Sequence, residues 1–487
     1  MILSRSQMLE AETAAFARGV RAEDLMEIAG ARMADMVRQF HPLPGLCRVF
    51  AGKGHNGGDV LVAARHLAQH GWQIECEDVF PASQLAPLTA IQFKRLPDST
   101  ARSASYPLVV LDGLLGIGAV GAPREPVLSA IEKINTLRNN YAAWVLAADT
   151  PSGLDADTGE ASGAVVRADA TLAMGFAKSG LVADSATAFV GRLAIASLPD
   201  VQAPHSADPA DVSSTKNWMP FLPPRQFETH KGMCGRVAIV AGSRGYAGAA
   251  RLCAEAAVLA GAGLVTLFVP EEIYPILAAS VAPEVMVHPV STLVEVLDAT
   301  HNAIAIGPGL GATRRSEILE IIRSAACPCV IDADALNAVA DDHLDLLKQC
   351  NSPRLLTPHP GEMERLAPQG DQTRRQWMES FVSDYPVTLL LKGARTVIGE
   401  KNSPTLFNTT GHPGMASGGM GDVLTGVCAA LIAQGKSPYI AAAIGAWLCG
   451  RAAELAITGG QSQESLHASA VSHHLGQAFK SLSRASL

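Results

Sequence analysis

The chain has few charges for its size, no basic excess, no clustered metal-ligand cysteines and no long apolar run. Lys and Arg number 38 against 46 Asp and Glu, a formal net charge of −8 over 487 residues. That balance offers no basic field for nucleic acid or for an anionic membrane surface. Nine cysteines are dispersed, and only Cys327-Pro328-Cys329 brings two close together, so no zinc-ligand spacing is expected. Scattered thiols suit a reducing, cytoplasmic setting. The opening MILSRSQMLEAETAAFARG carries acids early and lacks the apolar centre of a signal peptide. The nearest approach to a membrane span, Ala256 to Pro270, is short and broken by glycine. No GxxxxGK[ST] occurs, which argues against a Walker-type nucleotidase. The expected partners are therefore small molecules; a homo-oligomer is expected as well, though no residue pattern fixes it.

What is present is an apolar globular composition, 48% hydrophobic and 17% charged, in a chain long enough for two or more domains. From residue 48 onward short apolar runs alternate with Ala/Leu-rich helical stretches: RVF, VLVAARHLAQHG, WQIECEDVF, LVVLDGLLG, WVLAADTPSG and ATLAMGF. This alternation predicts an α/β fold, a parallel sheet covered by helices on both faces. Residues 199 to 224 are rich in Pro, Ser and Asp, lack periodicity, and read as a linker. A second alternating series follows, without sequence repeat of the first. Two unrelated α/β domains are expected, at 1–210 and 220–487.

The first domain opens on AGKGHNGGDVLVAARHL, residues 51 to 67. Gly52-x-Gly54-x-x-Gly57 fits the dinucleotide fingerprint, and Glu77 lies where a ribose-binding acid is expected. Asp59, directly after Gly57-Gly58, would place a carboxylate at the positive end of the helix and repel a bare phosphate; alternatively it is a simple cap. Further strand ends carry Asp112, then Asp149 with Ser152. Together with Asn56 and Asp59 these are oxygen ligands without Cys or clustered His, a set that favours a hard cation over zinc. Taken singly, Asp112, Asp149 and Ser152 could be caps or turn formers.

LMEIAG (25–30), GKGHNGGDVLVAARHL, LDGLLGIG, DTPSGLDADTG and GFAKSG (175–180) together closely resemble the NAD(P)H-hydrate epimerase domain, over most of residues 1 to about 200. The resemblance implies a Rossmann-like three-layer domain. It also implies that His55, Asn56, Gly57, Gly58 and Asp59, the segment Gly116-Ile117-Gly118-Ala119-Val120-Gly121-Ala122, and Asp149 bind a hydrated nicotinamide nucleotide. Asn56, Asp112 and Ser152 would ligate K+. His55 stands where the family usually has Asn, and an imidazole cannot donate and accept in the amide's geometry. In the hydrate, a hydroxyl on ring carbon 6 sits beside the ring nitrogen, so that either the hydroxyl is expelled or the ring opens, and the two epimers interconvert if protons are moved appropriately. Asp149 is the candidate acid and base, with Lys178 either its partner or a phosphate contact.

In the second domain Ser417-Gly418-Gly419-Met420-Gly421-Asp422 opens a helix. Its glycine amides form an anion hole, and Asp422 is placed to deprotonate an attacking hydroxyl or merely to face the helix dipole. Gly307-Pro308-Gly309-Leu310-Gly311, His359 with Glu362, and Lys392-Gly393-Ala394-Arg395-Thr396 lie at other strand ends. Alone, His359 is a turn residue and Lys392 a solvated cation. AGSRGYAGAA, GPGLG, DADALN, TPHPGEMERL, LKGART and GGMGDVLTG together look like the ADP-dependent NAD(P)H-hydrate dehydratase, a ribokinase-like fold, over about 225 to 455. This implies nucleotide contacts from Lys392, Gly393, Ala394, Arg395, Thr396 and Gly421, and hydrate contacts from Ala249, Gly309, His359 and Asp422. ADP would phosphorylate the hydrate hydroxyl, with Mg2+ screening the phosphates, and NADHX or NADPHX would return to NADH or NADPH. The rival reading is a kinase for a vitamin-like alcohol joined to a non-catalytic binding or interaction domain.

Overall fold

Strand residues in the first half of the chain alternate between two buried faces, and this alternation sets its layers. The computed structural model describes residues 1–96, 106–340 and 343–483, so the last residues of the second expected domain lie outside it. The chain divides into two compact units, with the break between Ser214 and Thr215.

The N-terminal unit runs β1 (Ile2–Leu3), α1 (Arg5–Ala17), α2 (Ala22–Phe40), β2 (Leu46–Ala51), α3 (His55–Gln69), β3 (Gln73–Cys76), α4 (Pro87–Lys94), β4 (Leu108–Gly113), α5 (Val127–Tyr141), β5 (Trp144–Ala148), β6 (Ala170–Met174), β7 (Ala177–Lys178), α6 (Thr187–Val190), β8 (Arg192–Ala196) and β9 (Asp211–Val212). Its main sheet has the order β3-β2-β4-β5-β6-β8, every pair parallel. Cys47, Val49, Val109, Leu111, Leu146 and Ala148 pack with α2 and α3 in one core, whereas Phe50, Val110, Val145 and Ala147 pack with α5 in another. Period-two alternation thus yields helix, sheet and helix, the Rossmann-like sandwich. A second, two-stranded sheet pairs Ile2 with Ala177 and Leu3 with Lys178.

The C-terminal unit runs α7 (Thr215–Trp218), β10 (Arg236–Val240), α8 (Ala247–Leu259), β11 (Leu264–Pro270), α9 (Tyr274–Ala278), β12 (Val285–Val290), β13 (Ala303–Ile306), α10 (Arg315–Ser324), β14 (Cys329–Ile331), α11 (Ala333–Ala340), β15 (Arg354–Leu356), α12 (Pro360–Leu366), α13 (Arg374–Asp384), β16 (Thr388–Leu391), β17 (Thr396–Gly399), β18 (Leu406–Asn408), α14 (Met420–Ala433), α15 (Pro438–Thr458) and α16 (Ala468–Ser483). Its strands follow β12-β11-β10-β13-β14-β15-β16-β17-β18, parallel through β16 and antiparallel thereafter. Helices α8, α14, α15 and α16 cover one face with small side chains.

Two sequence expectations need correction. The stretch that reads as a linker is partly folded: it carries β9 and α7, and Trp218 is 2% exposed within the C-terminal core. Proline and serine spacing hides that anchor. Ala256 to Pro270 is also not the nearest approach to a membrane span, since α15 is long and apolar enough by length and composition. Most of α15 is buried inside the unit, and it holds a buried Arg451–Glu454 ion pair at 2.9 Å, which marks a core helix.

Candidate functional site

In each unit the strand order reverses once, between β2 and β4 and between β10 and β13, and parallel sheets open a crevice at such a point. In the N-terminal unit the crevice is a cavity of about 520 Å³. Its lining includes His55, Asn56 and Asp59 from α3, Gly116, Ile117, Gly118 and Ala119 from the loop after β4, and Asp149 beyond β5.

Gly57 and Gly58 are buried behind this wall. A Cβ on Gly57 would come within 2.1 Å of the Gly52 carbonyl oxygen, so the loop closes on itself only with glycine there. Gly121 lines a separate small recess, and Val120 is exposed. Ala122 lines neither. The helix begins at His55, not after Gly58. Asp59 therefore lies in the second turn and, contrary to the expectation from sequence, does not occupy the positive helix end. Glu77 is engaged by Lys133 at 2.6 Å and Arg48 at 3.8 Å and does not line the cavity.

Beneath the cavity floor Asp112 and Ser152 are wholly buried. Asp112 Oδ1 accepts from Ser152 Oγ at 2.6 Å and from the Leu114 amide at 3.2 Å, and Oδ2 accepts from the Ser152 amide at 2.9 Å. Asn56 Nδ2 donates to the Leu115 carbonyl at 2.8 Å, and the Leu115 amide donates to Ser152 Oγ at 3.0 Å. The three expected cation ligands are therefore stitched around one loop. Burial pushes Asp112 up to about 6 against the pull of its hydrogen bonds.

Asp149 is held in the left-handed region at φ 63, a strained conformation for a residue with a side chain. Its Oδ1 accepts from the Met174 amide at 2.9 Å and from the Lys178 ammonium. Lys178 is wholly buried and also donates to the Met174 carbonyl at 3.0 Å, so it is Asp149's partner and is not turned toward a phosphate. Glu12, Phe16, Lys53 and Phe80 also line the cavity. Glu12, Phe16 and Phe80 lie in none of the site motifs, and Lys53 lies within the glycine motif at a position to which the motif gives no role; its Nζ is 4.6 Å from the Phe80 ring centroid. Burial first, then the charges of Asp149 and Glu12, push Asp59 well above the usual carboxylate range, with Lys178 opposing.

In the C-terminal unit Gly309 (φ 63) closes on α8: a Cβ there would meet Tyr246 Cβ at 2.9 Å and Ala249 Cβ at 3.1 Å, and the Gly309 carbonyl accepts from Ser243 Oγ at 2.8 Å. This brings two expected hydrate contacts together. Gly419 caps α14 at φ 87, turning the chain so that the following amides start the helix with Asp422 in its first turn. Under that turn Lys392 Nζ pairs with the buried Asp332 at 2.8 Å and lies 3.7 Å from Glu362; it is not a solvated cation. A Cβ on Gly421 would sit 3.2 Å from Lys392 Nζ.

Asp332 also accepts from Thr425 Oγ1 at 2.7 Å. Burial works to raise it, but the Lys392 ammonium and these hydrogen bonds hold it below the usual range. Burial first, then the charges of Asp332, Asp334 and Glu362, push Asp422 up to about 6 against Lys392. His359 caps α12, its Nδ1 accepting from the Gly361 amide at 3.0 Å, and its side chain remains half exposed. The turn containing Gly393, Ala394 and Arg395 is braced by Arg374, which donates to the carbonyls of Arg395 at 2.8 Å and Lys392 at 2.7 Å. Thr396 Oγ1 closes the turn on the Gly393 carbonyl at 3.1 Å. Arg374 carries no sequence signal.

Residues 22–180 match the family model described as YjeF-related protein N-terminus, and residues 237–473 match the one described as NAD(P)H-hydrate dehydratase. The chain is 37% identical over 471 residues to the bifunctional NAD(P)H-hydrate repair enzyme Nnr of Moorella thermoacetica, covering 88% of this chain and 87% of that one. It is 35% identical over 453 residues to the enzyme of that name from Escherichia coli, covering 90% and 86%. The solved ADP/ATP-dependent NAD(P)H-hydrate dehydratase of Bacillus subtilis, co-crystallised with ATP/Mg2+, superposes with a TM-score of 0.50 at 28% identity, covering 57% of this chain and 100% of that one. With the strand-order reversals of both units, between β2 and β4 and between β10 and β13, falling inside these matched segments, the chain belongs to the family of bifunctional NAD(P)H-hydrate repair enzymes.

Proposed function

We propose that the N-terminal unit epimerises the R and S forms of NADHX and NADPHX, and that the C-terminal unit dehydrates the S form at the expense of ADP. The expected domains, 1–210 and 220–487, would divide the two reactions. The observation that carries this reading is continuous similarity to bifunctional relatives across both units. The free thiols suit a reducing cytoplasm as the site of action.

In the first unit, Asp149 exchanges protons at the C6 hydroxyl, and Lys178, buried against it, sets its orientation. Asn56, Asp112 and Ser152 would hold K+. The fit rests on a wholly buried carboxylate that forms no ion pair among the described residues, ringed by amide, hydroxyl and carbonyl oxygens. The cation would neutralise Asp112 and fix the loop that lines the cavity.

In the second unit, Asp422 accepts the proton of the C6 hydroxyl as that oxygen attacks the terminal phosphoryl group of the nucleotide. The Gly419 to Gly421 turn and Lys392 face the phosphates, and the segment Lys392 to Thr396 grips the nucleotide. Mg2+ would be held mainly by phosphate oxygens and would screen their charge. Asp332, Asp334 and Glu362 each already accept a hydrogen bond from the protein. Phosphate is then a far better leaving group than hydroxide; the ring nitrogen's lone pair expels it, and loss of a proton from C5 returns that pair to nitrogen as the C5=C6 bond of the reduced nicotinamide forms. The test offers each hydrate epimer with ADP or ATP in turn and follows the absorbance of restored reduced nicotinamide. Release of a phosphorylated alcohol without that absorbance would favour a plain kinase.

A further inference from the structure

Helix α1 precedes the residues matched by either family model, yet it forms a wall of the N-terminal cavity. Its placement is fixed at several points. Leu3 pairs with Lys178 in the small parallel sheet, and Ser4 closes a capping box on Gln7. The Arg5 amide donates to Asp157 at 2.6 Å, and its guanidinium donates to the Gly118 carbonyl, in the loop that lines the cavity, at 3.1 Å. Met8, Glu12 and Phe16 follow at spacings of four, one above the other on a single face. Met8 is wholly buried, its methyl 3.2 Å from where a Cβ on Gly175 would lie, while Glu12 and Phe16 open onto the cavity.

A half-buried carboxyl on an inward helix face ordinarily finds a partner. Glu12 has no hydrogen bond or ion pair among the described residues. The charged groups around it are Asp149 after β5, Asp59 on α3 and Lys178 on β7, and Lys178 is committed to Asp149. Lys53, an ammonium in the cavity lining, lies over the Phe80 ring, so these three carboxyls share the Lys178 ammonium, an excess of negative charge that favours holding a proton. Burial first, then the Asp149 charge, push Glu12 above its ordinary range, with Lys178 opposing.

Inversion by loss and re-addition of the hydroxyl has it leave from one face and return to the other, so this route needs proton-transfer groups on two walls. We propose that Glu12 is the second acid–base residue of the epimerisation, working across the cavity from Asp149; this rests on the reading of the N-terminal unit given above. Protonated Glu12 gives its proton to the C6 hydroxyl, the C6–O bond breaks, water departs, and the nitrogen lone pair forms the N1=C6 bond. Water then adds to the other face, its proton passes to Asp149, and the N1=C6 pair returns to nitrogen. One proton has moved from Glu12 to Asp149, and exchange with water through the cavity mouth restores it. The reverse epimerisation uses the same groups in exchanged roles.

The test compares the full chain with Glu12→Gln and Glu12→Asp, measuring epimerisation of the R hydrate across pH. Dehydration of pure S hydrate in the same preparations serves as a control. Glu12→Gln is expected to lower the epimerisation kcat roughly 10²- to 10⁴-fold with KM nearly unchanged. The residual rate should lose the fall on the alkaline side that deprotonation of Glu12 causes, and Glu12→Asp should recover part of both. A Glu12→Gln enzyme with normal kcat and an unaltered pH profile overturns the proposal while leaving N-terminal epimerisation standing. So does a loss confined to KM, or a kcat loss that leaves the pH profile unaltered. Failure of the unmodified chain to interconvert the epimers overturns both readings.

Discussion

Asp422→Asn separates chemistry from architecture in the C-terminal unit. Asn keeps the size of the side chain and its place in the first turn of α14, and removes the proton acceptor. The expected loss of dehydration is roughly 10²- to 10⁴-fold, a barrier increase of about 3–5 kcal/mol. Stability moves the other way. Asp422 is pushed up to about 6 by burial and then by three neighbouring carboxylates. An acid whose folded-state pKa exceeds its unfolded value binds its proton more tightly when folded. Its ionised form carries no penalty below the unfolded range and the full penalty once pH rises past about 6.

That penalty is on the order of 1–3 kcal/mol, against the ~0.3–1 kcal/mol a first-turn carboxylate gains from the helix dipole. The Asn variant is therefore expected to melt no lower than the parent chain at about pH 8, with the difference shrinking toward about pH 5. The assay pairs S-hydrate dehydration with melting temperature in the same buffers. Near-normal dehydration would leave Asp422 as a dipole partner only. A variant that melts several degrees lower, with activity falling in step, would refute the electrostatic reasoning.

Asp332→Asn removes a charge that raises Asp422 and frees the Lys392 ammonium, so the acidic limb of dehydration against pH, expected near 6, should move to lower pH; a stationary limb contradicts the coupling. Asn56→Ala and Asp112→Ala each remove an oxygen from the proposed K+ site. Epimerisation and its response to K+ should fall in both while S-hydrate dehydration persists, and normal epimerisation with or without K+ would remove the site from the account. A fragment beginning at Thr215, which keeps Trp218 in its core, should consume only the S epimer; comparable consumption of both would return epimerisation to the C-terminal unit.

The parts of this architecture legible in the sequence are those set by local patterning. Apolar runs ending in Asp112, Asp149, Gly307 or Lys392 mark strand ends, and parallel sheets gather ligands there. Asn56, Asp59, Asp112, Asp149 and Ser152 stand out as a group because each follows such a run, whereas the choice of Asn56, Asp112 and Ser152 among them comes from the family resemblance. What stays hidden depends on pairing between distant residues. Glu12 reaches the cavity because Leu3 pairs with Lys178 and Arg5 bonds to Asp157 and Gly118, and Lys392 sits under the Gly421 turn because Asp332, 60 residues earlier, holds it. Arg374 braces the turn from Lys392 to Arg395 from a helix with no motif of its own. The helix start at His55 is hard to place from sequence because glycines at 57 and 58 read as a turn. In the fold they belong to the first turn of α3, pressed against the Gly52 carbonyl and Met26. The apolar helix α15 does not stand out as a run because Arg451 and Glu454 interrupt it, and only the fold shows them paired and buried.

The central claim is that two chemistries reside in two separate units of one chain. It is tested most directly by supplying a mixture of both hydrate epimers with ADP to the unmodified chain and to Asp149→Asn, and following the yield of reduced nicotinamide. The account predicts that the unmodified chain converts the whole mixture, whereas Asp149→Asn converts the S fraction at an undiminished rate and leaves the R fraction behind. Complete conversion of both epimers by Asp149→Asn at the parent rate would contradict it.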